Sequence, residues 1–447
     1  MITVIEGGAI ATVDAAGTEY TEGHVVLDGD RIVAVGPGPA AVAGDVTRVD
    51  ATGCLVTPGL VNTHHHLYQW ATRGYATESD LFGWLTALYP VWEGIDADLT
   101  RATTAAGLGW LALSGCTMSS DHHYVFPRDA GDLVEAQVDA AGSVGIRLHV
   151  CRGSMDLGVA AGGLPPDSLV ETTDGALAGT AAAIERFHDP APTAMIKVAV
   201  APCSPFSVTP TLMRESAALA RHTGVRLHTH LAETVDEEEF CRKNHNCHPV
   251  EYAEQLGWLG DDVWLAHGVH LDSASVGRLG ATGTGVAHCP SSNARLGAGT
   301  APVRQLLDAG APVGLGVDGP ASQEAGHLGD EQRQALYAAR LRGGPAALDA
   351  RAALSLATIG GARCLGREAE LGSLEAGKLA DVAVWRLGGL ANAGIVDPVT
   401  ALVFGVLPPL ALLLVGGSPV VRDGALVTAD EAVLARELGR VAARLRG

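Results

Sequence analysis

The sequence has no apolar run long enough to cross a bilayer, because Gly, Pro or charged residues interrupt each one before the roughly 20 residues that a membrane-spanning helix needs. Basic residues are also scarce: 30 Lys and Arg stand against 50 Asp and Glu, a formal net charge of -20. Such a charge repels nucleic acids and anionic membranes. We therefore expect neither as a partner and favour a small-molecule ligand.

We also expect neither a targeting segment nor a disulfide framework. The N-terminal stretch MITVIEGGAIATVD has neither the basic start nor the sustained apolar core of a secretory signal peptide. The 8 cysteines are scattered over 447 residues without a dense regular spacing. Both features indicate a cytoplasmic protein with reduced thiols. With 47% hydrophobic and 18% charged residues, the composition is that of a globular chain with a large buried core.

From Leu55 onward, short apolar runs alternate with longer segments of helical pattern. Eight runs can be counted, at residues 55–63, 115–123, 145–154, 194–204, 225–233, 263–270, 283–293 and 311–319. Helix candidates between them include residues 98–113, where Asp98 can cap the first turn, and residues 210–221. Alternating strands and helices predict parallel βαβ units, and eight of them predict a closed (β/α)8 TIM-like barrel. An open doubly wound sheet is the alternative.

The two ends of the chain are rich in short strands and turns. Residues 1–54 include a hairpin signal at Asp28 and Gly29, and residues 371–427 have the same strand-rich character. We expect the N- and C-terminal segments, residues 1–54 plus 365–427, to form one small β-sandwich domain. Residues 55–364 would form the barrel, and residues 428–447 a C-terminal helix.

Three consecutive histidines end the first run, in VNTHHHLY at residues 61–68. Side chains alternate between the two faces of a strand, so His64 and His66 share a face and His65 points to the other. A metal ion would therefore be held by His64 and His66. Two half-buried imidazoles without a metal are the alternative.

A second histidine cluster, LHTHLAE, ends the fifth run. His228 and His230 share a face, and Glu233 follows at a point where the strand must already have turned. A histidine at a metal ion and a carboxylate near the same water molecule suit metal-assisted hydrolysis, in which the cation lowers the pKa of the water and the carboxylate moves its proton. We assign His228 to packing only.

His267 and Asp318 end the sixth and eighth runs. An acidic side chain at the tip of an apolar strand is costly to bury unless it meets a cation or a hydrogen-bond donor. A structural ion pair is the alternative for Asp318. Polar ends on the first, fifth, sixth and eighth runs together indicate an active site at the C-terminal mouth of a barrel. The surrounding GLGVDG matches a dinucleotide-binding pattern, but no clear helix start follows it, so we expect no nucleotide site there.

Eight segments together resemble the amidohydrolase superfamily, over nearly the whole chain: PGLVNTHHHLYQ, SGCTMSSDHHYVFP, CRGSMDLG, APCSPFSV, LHTHLAET, WLAHGV, AHCPSSNARLG and GLGVDG. Within the superfamily they are similar to the branch of 8-oxoguanine deaminases and triazine hydrolases. The resemblance implies a hydrolytic deaminase of an amino-substituted aromatic heterocycle, with 8-oxoguanine converted to urate and ammonia. The alternatives are triazine hydrolysis, deamination of guanine or isocytosine, and an inactive scaffold with the same fold. A small heterocyclic substrate and a homo-oligomer are expected as partners.

The resemblance also implies roles for individual residues. One divalent metal ion per chain, Zn2+ or alternatively Fe2+, would be held by His64, His66, His230 and Asp318. The implied catalytic residues are Glu233 as proton shuttle, His267 as the residue that orients the attacking water, and Asp318, which helps to take up its proton. The implied substrate contacts are Gln69, His123, Arg152, Cys203 and Ser204.

Two local differences qualify the resemblance. Binuclear members of the superfamily carry a modified lysine at the end of the fourth strand, where this chain has APCS, and Lys197 lies too early in the strand for that role. This difference favours a single metal ion. The branch commonly continues Gly-Val-Asp-Gly-Ser-Ala-Ser-Asn-Asp, whereas Pro320, Gln323 and Glu324 stand at the fifth, eighth and ninth places here. We therefore expect an altered loop beside the pocket.

Overall fold

The structure is a computed structural model that describes residues 2–446, and in it both ends of the chain meet beside a central barrel. The N-terminal strands are β1 (Ile2–Ala11), β2 (Glu19–Asp28), β3 (Arg31–Pro37), β4 (Val46–Asp50) and β5 (Cys54–Pro58). The barrel strands are β6 (Leu60–Asn62), β7 (Cys116–His123), β8 (Arg147–Ser154), β9 (Ile196–Pro202), β10 (Arg226–Leu231), β11 (Val263–His267), β12 (Gly285–His288) and β13 (Val313–Leu315). The C-terminal strands are β14 (Val382–Arg386), β15 (Leu410–Val415), β16 (Ser418–Arg422) and β17 (Ala425–Leu426).

Helices follow most of the barrel strands and cover the outside of the barrel. They are α1 (Leu81–Trp92), α2 (Ala97–Leu113), α3 (Leu133–Val144), α4 (Thr173–Phe187), α5 (Pro210–Thr223), α6 (Val235–His245), α7 (Pro249–Gln255), α8 (Ser273–Thr282), α9 (Pro290–Arg295), α10 (Val303–Asp308), α11 (Leu328–Gly343), α12 (Ala350–Ser355), α13 (Gly361–Cys364), α14 (Pro398–Phe404) and α15 (Glu431–Leu445). Helical turns at Leu67–Thr72, Val159–Ala161 and Leu356–Gly360 supplement them. Among residues 2–446, no helix has both the length and the apolar character to span a membrane.

The strands β6 to β13 close into a parallel barrel within the described chain, with β13 paired to β6. Their residues are buried almost throughout; in β8, for example, every residue from Arg147 to Ser154 is buried. Burial on both faces is expected of parallel strands that enclose a core and are covered by helices. The predicted closed barrel is confirmed, and the open doubly wound sheet is excluded.

A mixed sheet joins the two ends of the chain and confirms the predicted small β-domain. Its strand order is β17-β16-β15-β14-β5-β1-β2-β3, and β4 pairs with β1. The predicted hairpin lies between β2 and β3, where Asp28 pairs with Arg31 and Gly29 adopts a φ of 58°. β14 pairs antiparallel with β5, so residues 55–58, which the sequence suggested for the barrel, lie in the mixed sheet instead. Both β5 and β6 are apolar and buried, and their pattern does not reveal that they belong to different sheets.

Aspartates cap the helices that pack across the barrel flank. The helix predicted from Asp98 begins at Ala97 because the Asp96 carboxylate, one residue earlier, accepts a backbone N–H of its first turn. Asp98 instead forms an ion pair with Arg440 of α15. The predicted C-terminal helix begins after Asp430, whose carboxylate caps it.

A buried ion pair joins the barrel to the mixed sheet. Arg147, at the start of β8, and Asp381, just before β14, form two hydrogen bonds of 3.0 Å, and both side chains are almost fully buried. Asp381 also accepts the N–H of Gly416 at 2.8 Å. The Arg147 guanidinium also donates to the carbonyls of Thr193 and Ala194, but its positive charge is paired with the Asp381 carboxylate, so removing either residue leaves a buried charge without its counter-charge.

We expect Asp381→Ala to lower the free energy of unfolding by about 3–5 kcal/mol, since it leaves the Arg147 guanidinium buried without its partner. Urea unfolding followed by circular dichroism measures the change. The matched control is Asp139→Ala, which breaks an exposed ion pair with Arg101 and should cost less than about 1 kcal/mol. Equal costs for the two variants would contradict the structural importance of the buried pair.

Candidate metal centre and active site

Four histidines and an aspartate meet at the C-terminal mouth of the barrel. His64 and His66 follow β6, His230 lies on β10, His267 ends β11 and Asp318 follows β13. The Nε2 atoms of His64 and His66 lie 3.3 and 3.2 Å from Asp318 Oδ1. The Nε2 atoms of His66 and His230 are 3.1 Å apart. All five side chains are buried, so the residues selected from the sequence as metal ligands come together, with His267 beside them.

Hydrogen bonds to backbone carbonyls determine which ring nitrogens carry protons. Nδ1–H of His66 donates to the carbonyl of His122 at 2.6 Å, and Nδ1–H of His230 donates to the carbonyl of Cys203 at 2.7 Å. Burial lowers the pKa of His230 well below its usual value, so its ring is neutral. The Nε2 atoms of neutral rings bonded in this way carry lone pairs. Two lone pairs 3.1 Å apart repel each other unless a cation lies close to both.

His64 is oriented in the same way by another histidine. The carbonyl of Trp264 accepts Nδ1–H of His228 at 2.9 Å, so Nε2 of His228 is free to accept Nδ1–H of His64 at 2.8 Å. The Nε2 atom of His64 is left with a lone pair and no hydrogen-bond partner. The sequence suggested only packing for His228, and that view was incomplete. The His-x-His spacing already put His228 on the same face as His230. It could not reveal the hydrogen bond to His64, because His64 follows β6, which is far from His228 in the chain.

This set of donor atoms fits a divalent metal ion. Neutral imidazole nitrogens and a carboxylate oxygen are typical ligands of Zn2+, and imidazole also suits Fe2+. Ligand atoms of His64, His267 and Asp318 lie within 4.8 Å of one another, and those of His64, His122 and His230 form a second such group. Lys197 is remote from this centre: its Nζ donates to carbonyls at the opposite end of β9.

The strand ends that carry the site have strained backbone. Ala232, His267 and Asp318 have φ values of 55°, 75° and 60°, in the left-handed region that residues other than Gly rarely adopt. Neighbouring side chains hold two of them in place. Asn293 Oδ1 accepts Nδ1–H of His267 at 3.0 Å, and the Ser292 hydroxyl donates to Asp318 Oδ2 at 2.6 Å. Asn293 and Ser292 both come from α9; they lie in the segment AHCPSSNARLG, but the sequence assigned neither of them a role at the site.

Glu233 faces the same centre. Its Oε2 lies 3.5 Å from Nε2 of His267, and its side chain is buried. Burial raises the pKa of Glu233 well above its usual value, and the charge of Asp318 raises it further. A carboxyl group with a raised pKa is suited to proton transfer in catalysis.

A partly open cavity adjoins these residues, with about 370 Å³ of empty space including its opening to solvent. Its apolar walls are formed by Leu81, Trp84, Leu85, Phe206 and Leu296. The polar side chains that line it, apart from the histidines and carboxylates of the centre, are Gln69, Tyr124, Cys203, Ser204 and Ser322. Tyr124 belongs to the segment SGCTMSSDHHYVFP, so the sequence contained a signal for it.

Of the substrate contacts suggested by the sequence, Gln69, Cys203 and Ser204 line the cavity. Both polar atoms of the Gln69 amide are buried without a hydrogen-bond partner. Gly319 packs directly against this side chain, since a Cβ there would lie 1.7 Å from Gln69 Oε1. Gly316 similarly packs against His64: a Cβ added to Gly316 would lie only 2.8 Å from the His64 Cβ. The glycines of GLGVDG therefore allow close packing around the site.

His123 does not line the cavity. Its Nε2 is bonded to the carbonyl of Val125, and its ring packs against those of Tyr68 and Phe126. Successive side chains of β7 point to opposite faces, so the preceding His122 faces the histidine cluster instead, with its ring centroid 4.8 Å from that of His230. Neither member of this pair lines the cavity, so the suggested substrate contact of His123 stays a prediction.

Arg152 is also turned away from the cavity. It forms two hydrogen bonds of 2.7 Å with Glu171 and lies over the ring of Phe126. It lines a separate cavity between α3 and α4. Its charge is neutralised by Glu171, a partner that the sequence did not indicate because the two residues lie on different segments.

The altered loop after Asp318 directs its new side chains away from the cavity. The Gln323 amide donates to Glu331 at 2.6 Å, and Glu324 forms an ion pair with Arg295 at 2.9 Å. Arg295 also donates to the carbonyls of Tyr75 and Ala76, in the segment before α1. The substitutions in this loop therefore tie together the segments at the mouth, while Ser322 is the loop residue beyond Asp318 that lines the cavity.

Barrel enzymes carry out their chemistry at the C-terminal mouth of the barrel, which is where these imidazoles and carboxylates meet. Together the fold and the centre define a barrel enzyme equipped for metal-assisted hydrolysis.

Comparisons with known proteins agree with this class. The amidohydrolase family matches residues 55–420. The chain is 43% identical to an 8-oxoguanine deaminase of Pseudomonas aeruginosa over 98% of both chains, and 35% identical to a 5-methylthioadenosine/S-adenosylhomocysteine deaminase of Natronomonas pharaonis over 99% of this chain and 97% of that one. Its fold superposes with a TM-score of 0.94 on atrazine chlorohydrolase from Arthrobacter aurescens TC1 in complex with zinc, at 33% identity over 98% of this chain and 100% of that one. The chain belongs to the amidohydrolase family, and it is a hydrolase whose deaminase relatives act on C–N bonds.

Proposed function

We propose that this enzyme removes an amino group from an aromatic heterocycle by hydrolysis, and that 8-oxoguanine is its substrate, with urate and ammonia as products. The observation that carries the proposal is the meeting of three imidazole lone pairs and the Asp318 carboxylate beside Glu233, at the edge of a partly open cavity. The 43% identity to an 8-oxoguanine deaminase supports the choice of purine.

His64, His66, His230 and Asp318 would hold one divalent metal ion. When bound, such an ion lowers the pKa of a water molecule in contact with it and supplies a nucleophile at neutral pH. Zn2+ is our first choice because the donor set suits it and a structural relative was solved with zinc. Fe2+ is the alternative.

Glu233 and His267 would handle the protons and orient the attacking water. The Glu233 carboxyl, buried and 3.5 Å from His267, would carry one proton from the attacking water to a ring nitrogen, and a second proton of that water, taken up with the help of Asp318, would reach the leaving amino group. His267, fixed by Asn293, and Asp318 would keep the attacking oxygen in line with the ring carbon. A C–O bond forms and the exocyclic C–N bond breaks; ammonia leaves with one proton of the water, and the other remains on the product.

The cavity suits a flat, neutral heterocycle. Trp84, Phe206 and the neighbouring leucines offer apolar surfaces to the faces of a ring. The Gln69 amide, buried without a partner, offers one donor and one acceptor to a ring edge. Arg152, which could pair with a carboxylate on a larger substrate, is bonded to Glu171 instead. These features favour a free base over S-adenosylhomocysteine, whose amino-acid end carries a carboxylate.

Ammonia release from a panel of compounds tests the proposal. We expect the purified, metal-loaded enzyme to release ammonia from 8-oxoguanine faster than from guanine or isocytosine, and not from S-adenosylhomocysteine. Chloride release from a chlorotriazine would instead support the second candidate, a triazine hydrolase, which the likeness to atrazine chlorohydrolase favours. If no amino-heterocycle yields ammonia, the deaminase proposal is wrong.

The hydrogen bond from His64 to His228 gives a separate prediction for the metal centre. His228→Phe keeps an aromatic ring stacked on Trp264 but removes the acceptor of His64 Nδ1–H. We expect zinc affinity to fall about 10- to 100-fold, the usual cost of losing the partner that orients a ligating histidine. Competition with a coloured chelator measures the affinity. His222→Phe, at an exposed position of α5, should leave it unchanged; an unchanged affinity of the His228 variant would contradict the orienting role.

A further inference from the structure

The carboxylate of Glu237, on α6, binds the backbone of the turn that carries Glu233. Glu237 Oε1 accepts the N–H of Ala232 at 2.7 Å, and Oε2 accepts the N–H of Glu233 at 3.0 Å. The Glu237 side chain is fully buried. Burying a carboxylate is costly unless its oxygens are hydrogen bonded, and here each oxygen receives one backbone donor from the same turn.

The position of Glu237 near the start of α6 has an ordinary explanation in the helix dipole, which favours acidic residues in the first turn. Asp236 and Glu238 also lie in this turn, at more exposed positions, and can serve the dipole from there. Glu237 differs from both because it turns back from the helix and bonds to N–H groups outside α6. The dipole therefore does not account for its burial.

The turn before Glu233 needs support. Ala232 has a φ of 55°, a left-handed conformation that is unfavourable for a residue with a Cβ. The Ala232 carbonyl accepts the N–H groups of Val269 and His270 at 2.8 and 2.9 Å. Together with the two bonds to Glu237, these contacts fix both peptide groups that flank Ala232. The direction of the next side chain, Glu233, follows from them.

We propose that Glu237 is a positioning residue for the hydrolytic step: it holds the turn at Ala232 so that the Glu233 carboxyl stays within 3.5 Å of His267. The inference rests on the proposed role of Glu233 as proton carrier. Glu237 is not among the residues that line the cavity. Its loss should therefore slow turnover without weakening substrate binding.

Substitution of Glu237 tests the proposal through a split between kcat and KM. Glu237→Gln keeps the size of the side chain but replaces one accepting oxygen by an NH2 group, so one of the two N–H groups loses its acceptor. We expect kcat to fall about 10- to 100-fold, as for a small misplacement of a catalytic group, with KM within about twofold and metal content unchanged. Glu237→Asp, whose shorter side chain cannot reach both N–H groups, should behave alike. Glu239→Gln makes the same change at an exposed position of the same helix and should match the wild type.

Hydrogen exchange at the Ala232 and Glu233 amides tests the positioning role without any substrate. We expect both amides to exchange at least about tenfold faster in Glu237→Gln than in the wild type or in Glu239→Gln, because local opening of the turn becomes easier. This result does not depend on the identity of the heterocycle, so a failure of the purine proposal leaves the measurement intact. Unchanged exchange would overturn the inference. So would faster exchange with unchanged kcat on any compound that the wild type turns over.

Discussion

Glu233→Gln should lower kcat by about 10²- to 10⁴-fold while the metal content per chain stays at the wild-type value. This decrease in kcat is the one expected when an enzyme loses a side chain positioned to transfer a proton. Glutamine keeps the shape of the side chain beside His267, but its amide neither accepts nor releases a proton at neutral pH. Steady-state ammonia release and elemental analysis of the same preparation measure the two quantities.

Metal content is expected to survive because Glu233 is outside the proposed ligand set. The matched control is Glu239→Gln, an exposed substitution of the same type on the adjoining helix, which should retain full activity. A Glu233→Gln enzyme with most of its activity would refute the proton-carrying role. A variant that lost both metal and activity would show instead that Glu233 contributes to ion binding.

Asp318→Asn should remove both the metal ion and the activity. The substitution takes away a carboxylate that lies within 3.3 Å of both His64 and His66 Nε2, and a neutral amide is a weaker ligand for a divalent cation. Since the ion supplies several kcal/mol of transition-state stabilisation, we expect activity to fall by at least about 10³-fold. Metal content after extensive dialysis and kcat/KM measured with and without added zinc report the two losses.

The fold should tolerate this substitution better than most at the site. Asp318 has a φ of 60°, and Asn is among the few residues that adopt the left-handed region readily. Asp129→Asn is a matched control, because Asp129 is exposed and has a φ of 61°; it should keep its metal and its activity. In the metal-free state, both variants should have melting temperatures close to that of the metal-free wild type, because loss of the ion itself lowers the melting temperature. Retention of one tightly bound ion by Asp318→Asn would remove Asp318 from the ligand set.

Local sequence patterns were sufficient to predict which strand ends form the site and which of the three consecutive histidines face it. The alternation of side chains along a strand separated His64 and His66 from His65, and the structure has His65 turned to the Asp318 carbonyl, with a hydrogen bond of 2.7 Å. The polar ends of apolar runs pointed to one mouth of the barrel, because the carboxyl ends of parallel strands share one end of a sheet. These features depend on residues close together in the chain.

The sequence by itself determined the class of fold, the pairing of both chain ends in one sheet, and the histidines and carboxylates that could form the centre. Only the tertiary structure decided that His122 rather than His123 faces the cluster, that Arg152 is bonded to Glu171, that His228 orients His64, and that Gln323 and Glu324 bind neighbours at the mouth. The physical reason is the range of the interactions. Periodicity is set by bonds between successive residues, whereas the partner of a buried polar group is chosen by the packing of segments far apart in the chain.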